Sequence, residues 1–378
     1  MKYPYNVPAI TLKVKELEYI TQVILKKKFS GDGEFGKKCQ TWIEKNMECN
    51  KVLVTPSCTH ALEMAALLIN IKEGDEVIMP SFTFPSTANA FVLHGARIRF
   101  VDIASDTMNI DPNVIRDAIN DRARAIIVVH YAGVACDMDK IMQIARERDI
   151  YVIEDAAQCI IARYNDRYLG TIGDIGCLSF HETKNIHCGE GGAILINNPE
   201  FYERAEIIRE KGTNRSNFLK GYVDKYTWMD KGSSYLLNEI SSAFLLAQLE
   251  EAQTIINDRK KSWNYYYEKL SSIDGFKVNK IPDYARHNAH IFYGICRSEA
   301  ERNELIKYLR ARDILAIFHY VPLHSSSAGK QFGVFNGQDK YTTDLSSRLV
   351  RLPLYYGMKK EDIDFITDSI AEFYARKR

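Results

Sequence analysis

The sequence predicts an α/β fold, with a large domain on a mostly parallel seven-stranded sheet and a smaller C-terminal α+β domain. Three observations carry that prediction. Short β-branched runs recur through the first two-thirds of the chain, and they are nearly continuous in apolar residues, as strands buried on both faces must be. Most alternate with segments of helical periodicity, the order that gives crossover connections and a parallel sheet. The length, 378 residues, exceeds what one hydrophobic core ordinarily serves and calls for a second unit.

Taken in order, Lys51–Val54 is the first strand, and the turn Thr55-Pro56-Ser57 leads into an amphipathic helix from about Thr59 to Ile71. Glu76–Met79 follows, then a loop and a helix near Thr87–His94. Ile98–Asp102, Ala125–Val129 and Tyr151–Glu154 are further strands. Ile175–Ser179 and Gly192–Ile196 complete the seven, with only a loop between them. After Asn197 the pattern changes to a helix over Pro199–Lys211, a polar, aromatic and basic loop over Gly212–Gly232, and one long helical stretch over about Asn238–Ser271. The remainder mixes strands (Phe292–Cys296, Ile314–Phe318) with helices (Glu299–Ala311, Glu361–Ala375). We expect the large domain, with an N-terminal arm, to span residues 1–240, and the connecting helix and small domain to span 241–378.

Composition narrows the function classes. Lys plus Arg is 50 and Asp plus Glu is 49, which gives no reason to expect nucleic-acid or membrane-surface binding. No stretch approaches the roughly 20 apolar residues that span a bilayer, and the N-terminus has no apolar run of the signal-peptide kind. The eight cysteines are scattered without a CxxC pair, which favours free thiols in a reducing cytoplasm over disulfides or a zinc site. No metal site is expected.

Open parallel sheets bind ligands at the carboxyl ends of their strands, and four segments there carry chemistry. Thr55-Pro56-Ser57-Cys58-Thr59-His60 joins a strand to a helix start, where hydroxyls and free backbone N–H groups suit a phosphate; taken alone, a plain helix cap is the commoner meaning of such a segment. Glu154-Asp155-Ala156-Ala157-Gln158 puts an acid at a strand end, able to hold a cationic ring nitrogen. Ser179-Phe180-His181-Glu182-Thr183-Lys184-Asn185 delivers one lysine ahead of a glycine-rich turn, and a lysine whose pKa burial lowers is a nucleophile for an aldehyde cofactor. Pro80-Ser81-Phe82-Thr83-Phe84 offers an aromatic that could lie on a ring. Together these supply what a pyridoxal-phosphate site requires.

With those runs in view, the sequence resembles the DegT/DnrJ-type sugar-nucleotide aminotransferases, of the aspartate-aminotransferase-like fold (fold type I of the pyridoxal-phosphate enzymes). The runs Ser179–Asn185 and Lys211-Gly212-Thr213-Asn214-Arg215 carry most weight, and the likeness extends through Phe318–His324 and Arg351–Leu354. The resemblance implies that Lys184 holds pyridoxal 5′-phosphate as a Schiff base and moves the proton, that Asp155 pairs with the pyridine nitrogen, and that Gln158 meets the cofactor's hydroxyl side. It implies that Phe84 stacks on the ring and that Cys58, Thr59 and Ser179 bind the phosphate. Ser234 occupies the position where such enzymes carry an asparagine that completes the partner's phosphate site, so a homodimer with shared active sites is implied. His181, three residues before Lys184, is assigned to proton transfer or to contact with the substrate phosphates, with a purely structural role as the alternative. Arg215 is expected to bind the substrate diphosphate, with His319, Tyr320 and His324 lining the cleft. The substrates implied are L-glutamate and a dTDP-linked 4-oxo-6-deoxyglucose, with pyridoxamine 5′-phosphate formed in between. A different regiochemistry or C4 epimer, a lyase on the same scaffold, and a non-catalytic regulator are the competing readings. Lyases of that kind carry histidine in place of the lysine, and Lys184 argues against them.

Overall fold

The structure is a computed structural model that describes residues 1–11, 14–278 and 280–377. Its strands in chain order are β1 (Val52–Thr55), β2 (Glu76–Pro80), β3 (Arg97–Val101), β4 (Ala123–Val129), β5 (Tyr151–Asp155), β6 (Arg163–Tyr164) and β7 (Arg167–Tyr168). They continue with β8 (Ile175–Ser179), β9 (Gly192–Ile196), β10 (Phe276–Val278), β11 (Ala285–Arg286), β12 (Phe292–Cys296), β13 (Gly333–Phe335) and β14 (Leu349–Leu352).

The main sheet has the order β1-β9-β8-β5-β4-β2-β3-β13. All its strands are parallel except β9, which pairs antiparallel with both β1 and β8. That exception follows from the connection, because β8 and β9 are joined by a loop and parallel neighbours need a crossover. All seven expected strands are present. The eighth, β13, comes from the C-terminal third of the chain and pairs with β3 at the edge. Its side chains are apolar on both faces of the sheet: in β4, Ile126 and Val128 join one core while Ala125 and Ile127 join the other. A three-stranded antiparallel sheet, β10-β12-β14, carries a third core with the helices Ala252–Leu270, Glu299–Arg310 and Lys360–Ala375.

Two local expectations are corrected, and the N-terminal arm adds two helices that were not anticipated. The long helix over Asn238–Ser271 is two helices, Glu239–Glu250 and Ala252–Leu270, broken at Glu251 where φ is −102° and ψ is 8°. Ile314–Phe318 forms no strand, because its backbone divides between two partners: Leu315 N–H goes to Tyr3 O (2.8 Å) and Ile317 N–H to Arg351 O (3.1 Å). The N-terminal arm contains two helices, Lys15–Lys26 and Glu34–Asn46, and both pack on Glu239–Glu250. Buried Glu239 accepts the Phe35 and Gly36 N–H groups (2.9 Å each), so a residue two hundred positions away caps the second of these helices.

The Gly212–Gly232 loop is anchored through Glu206 on the helix Tyr202–Arg209. That carboxylate accepts bonds from Lys51 (2.5 Å), Lys220 (2.8 Å) and Ser216. Burial pushes the Glu206 carboxyl up, but Lys220, Lys51 and Ser216 outweigh it and hold it near 2. The folded pKa lies below its ordinary 4.5, so this anchor is whole above that pH and is lost as pH falls through about 2. Glu206→Gln removes it at every pH. We expect the amides of Ser216–Lys220 in that variant to exchange with solvent at least tenfold faster at neutral pH, about 1.4 kcal/mol of local stability.

Candidate active site

The carboxyl ends of β1, β2, β4, β5 and β8 converge on one open cavity of about 570 Å³, closed on the far side by the C-terminal unit. Ten of the sequence-predicted residues line it: Cys58, Thr59, Phe84, Asp155, Gln158, Ser179, His181, Lys184, His319 and Tyr320.

Each is placed by its element. Ser57 caps the helix Cys58–Leu68 by accepting from His60 N–H (3.2 Å), which leaves the first N–H groups of that helix directed at the cavity. Thr59 donates to Ser86 Oγ (2.8 Å) across the same wall. Gly192 at the start of β9 is what allows the close approach, since a Cβ there would lie 2.4 Å from Cys58 N and Ser57 C. Phe84 precedes the helix Pro85–Val92 and stays 56% exposed at the rim, 6.1 Å from the Tyr320 ring.

Asp155 ends β5 and is buried. Thr87 donates to its Oδ2 (2.7 Å) and Ala157 N–H to its Oδ1 (3.2 Å). Burial raises its pKa against those bonds and against the pull of Lys184. Gln158 is held by Ala132 N–H (2.6 Å) and donates to Tyr320 Oη (3.3 Å).

Lys184 stands in a tight turn, its N–H donating to His181 O (2.9 Å). Among the described residues its Nζ has no hydrogen-bond or ion-pair partner. Burial lowers its pKa, against the opposing pull of Cys58 and Asp155. The result is an amine held toward its neutral, nucleophilic form in a cavity that also contains a carboxylate. His181 pairs with Thr183 Oγ1 (2.9 Å) and approaches Glu190 (3.6 Å) at the solvent side.

Three predicted residues lie elsewhere. Arg215 turns to Glu210 (2.5 Å) and does not line this chain's cavity. His324 ties β13 to the end of β2: its ring meets Ser81 Oγ (2.7 Å), Asp339 (3.2 Å) and Phe335 (4.6 Å between centroids). Those partners take the place of the cleft-lining role expected for it. Ser234 is exposed and forms an isolated bridge with Glu210, also outside this chain's cavity.

Other lining residues were not anticipated. Tyr5 comes from the N-terminal arm, and His290 and Arg351 come from the C-terminal third of the chain. Asn185 donates to Asn288 O (2.8 Å), so its Oδ1 accepts from His290 Nδ1 (3.0 Å), fixing the His290 proton there and leaving Nε2 as an acceptor. Burial keeps this histidine neutral. Tyr131 Oη meets His319 Nδ1 at 2.9 Å.

At the cavity wall, His130 forms a fully buried pair with Glu154 (2.9 Å). Among the described residues no helix is long and apolar enough to cross a membrane. All eight cysteines are free and buried.

Comparison with known proteins agrees with this architecture. The chain is 34% identical over 330 residues to the uncharacterized protein MJ1066 of Methanocaldococcus jannaschii, covering 85% of each. It is 30% identical to the GDP-perosamine synthase of Escherichia coli O157:H7 over the full length of both. A crystal structure of a DegT DnrJ EryC1 StrS aminotransferase from Brucella abortus superposes with a TM-score of 0.89 over 96% of each chain, at 27% identity. Residues 11–371 match the DegT/DnrJ/EryC1/StrS aminotransferase family, and the chain belongs to that family.

Proposed function

We propose that this protein is a pyridoxal-phosphate-dependent sugar-nucleotide aminotransferase that transfers the amine of L-glutamate to C4 of dTDP-4-oxo-6-deoxy-D-glucose. The products are dTDP-4-amino-4,6-dideoxy-D-galactose and 2-oxoglutarate. The single observation that carries the amino-transfer reading is Lys184: a half-buried lysine whose Nζ has no partner among the described residues, in the same cavity as the buried carboxylate of Asp155.

The residues fit the cofactor. A cationic ring nitrogen would satisfy Asp155, whose only bonds are to Thr87 and Ala157 among the described residues. The helix start at Cys58 and Thr59, with Ser179 beside it, suits a phosphate. Phe84 and Gln158 would bracket the ring. When bound, pyridoxal phosphate supplies the aldehyde that accepts an amine and the ring that withdraws electrons. Lys184 holds and moves the proton at its Nζ. Asp155 presents fixed negative charge, prepaid by folding. Tyr320 and the C-terminal wall limit water at the reacting carbon.

The sugar and nucleotide rest on the sequence runs Ser179–Asn185 and Lys211–Arg215, which resemble those of dTDP-4-amino-4,6-dideoxygalactose transaminases acting in surface-polysaccharide synthesis in the cytoplasm. Full-length likeness to a GDP-perosamine synthase favours a GDP-linked keto sugar as the second reading. Incubation with L-glutamate and each 4-oxo sugar nucleotide, followed by NMR of the product, decides between them. No amino sugar from either would end the proposal.

We further propose a homodimer in which the Gly212–Gly232 loop and Ser234 serve the partner's cavity. The exposed Tyr222, Tyr226 and Trp228 of that loop support a surface built for contact. Arg215→Ala is then expected to raise KM for the sugar nucleotide about tenfold while leaving the glutamate half-reaction unchanged, as loss of one guanidinium–phosphate contact would. An unchanged KM removes Arg215 from the diphosphate site.

A further inference from the structure

Two buried threonines at the cavity carry hydroxyls where valines of the same shape would pack as well. Thr83 stands in the bend after β2, and Thr87 lies in the first turn of the helix Pro85–Val92. Both line the cavity, and neither is more than 1% exposed. Their hydroxyls meet at 2.8 Å, and Thr87 Oγ1 lies 2.7 Å from Asp155 Oδ2. A helical threonine ordinarily donates to the carbonyl four residues back, which here is that of Thr83. Thr87 instead turns to the Thr83 side chain and to the carboxylate.

Proton counting fixes the direction of this chain. An ionised carboxylate only accepts, so the single hydroxyl proton of Thr87 goes to Asp155. The bond between the threonines must then be donated by Thr83. The bonds so form one line, from Thr83 to Thr87 to Asp155, in which each polarises the next. The other donor to the carboxylate is the Ala157 N–H (3.2 Å). Lys184 and His130 also face it and favour its anion, while the Cys58, Cys159 and Cys177 thiols and the Tyr320 phenol are neutral neighbours. Among the described residues none of these hydrogen-bonds the carboxylate. Glu154, the preceding residue of β5, turns the other way, to His130 and the Gly170, Ile172 and Gly173 N–H groups.

We propose that Thr83 and Thr87 are positioning residues, a two-hydroxyl relay that holds Asp155 as an anion and so leaves the proton it shares with a heteroaromatic nitrogen on the ring. This rests on the amino-transfer reading and goes beyond it by assigning control of that proton to residues that act through Asp155. The physical reason is competition. A carboxylate and a ring nitrogen both bind protons, and burial pushes the Asp155 carboxyl up, toward taking this one. Each hydrogen bond donated to the carboxylate makes it a weaker base and tips the balance back to the nitrogen. Valine in place of Thr87 would remove the nearer donor and leave burial opposed only by Ala157 and the neighbouring charges. Two buried hydroxyls, each costly unless bonded, are satisfied by this one carboxylate and by each other.

The test reads the proton directly. In the cofactor-free protein, NMR of isotopically labelled aspartate carboxyl carbons follows the titration of Asp155, whose signal is the one missing from Asp155→Asn. We expect Thr87→Val to raise the proton affinity of Asp155 by about 10- to 150-fold, the size of one hydrogen bond to a charged group. Thr83→Val raises it less, by at least about twofold, since it acts through Thr87. Thr87→Ser keeps the hydroxyl and titrates as the parent does. With pyridoxal phosphate isotopically labelled at its ring nitrogen, the nitrogen signal of Thr87→Val moves toward that of a neutral pyridine, while the parent and Thr87→Ser keep the signal of a protonated one. Either signal unmoved in Thr87→Val overturns the proposal. So does a Thr83→Val protein indistinguishable from the parent, or a Thr87→Ser protein that behaves as the valine variant does, which would be an effect of packing. Should Thr87→Val not fold, Thr83→Val and Thr87→Ser decide by the same criteria. A parent protein that takes up no pyridoxal phosphate ends the amino-transfer reading, while the carboxyl titration still reports on the relay.

Discussion

Lys184→Ala will lose transaminase turnover by at least about 10³-fold, the scale on which a positioned proton carrier acts, with the loss of covalent attachment added. The same change will leave folding intact or improve it, because the side chain removed is an amine that burial penalises and that, among the described residues, no hydrogen bond or ion pair holds. Two measurements check this. Borohydride treatment of the cofactor-loaded parent will add the cofactor's mass to the peptide containing Lys184, and the variant will gain none. Stopped-flow with L-glutamate will show the parent's near-visible band convert, while the variant's stays. Lys184→Arg separates charge from chemistry: it keeps a cation in the cavity but offers no free amine, and it is expected to be as inactive as the alanine variant. Turnover of either variant at the parent's rate would dismiss Lys184 as the group that moves the proton.

The location of this cavity was legible because strand ends are. Each of Cys58, Phe84, Asp155 and Lys184 stands just beyond, or at the last residue of, an apolar run that periodicity identifies, and a parallel sheet brings such ends to one edge. What the pattern missed depends on contacts remote in sequence. The three residues of β13 are too few to show a period. The helix break at Glu251 has no proline or glycine to signal it, and the N-terminal helix Glu34–Asn46 owes its cap to Glu239. Arg215, His324 and Ser234 rest on the family resemblance and on loop composition, which do not reveal local partners: Glu210 engages the first and third, and Ser81 and Asp339 engage the second. Arg351 did leave a signal in Leu349-Val350-Arg351-Leu352-Pro353-Leu354: one charge inside a run that otherwise reads as core. Its place at the cavity emerges only when the C-terminal unit closes over the sheet.

Glu154→Ala will lower unfolding free energy by about 3–5 kcal/mol, the cost of breaking a buried pair from one side. Glu154 is fully buried. Its carboxylate accepts from His130 Nε2 (2.9 Å) and from the N–H groups of Gly170, Ile172 and Gly173 (2.7 Å each), so alanine strands four donors at once. Distance alone would rank the surface pair Arg167–Asp139 higher, at 2.6 Å. Both of its side chains are about half exposed or more, and Asp139→Ala is expected to cost under about 1 kcal/mol. The contrast isolates burial as the deciding variable. The pH dependence agrees in sign: burial pushes Glu154 up, but His130 and the glycine amides outweigh it and hold the carboxyl below its ordinary 4.5. Its stabilisation is therefore whole above that pH and drains away as pH falls through the depressed value. Because His130 N–H also donates to Asp155 O (3.3 Å), the alanine variant will loosen the neighbouring carboxylate and release cofactor more readily than the parent. Urea unfolding of the cofactor-free forms checks the first effect and cofactor dialysis rates the second. A loss below about 1 kcal/mol in Glu154→Ala would mean that water satisfies the stranded donors, and that Asp155 is positioned by Thr87 and Ala157 instead.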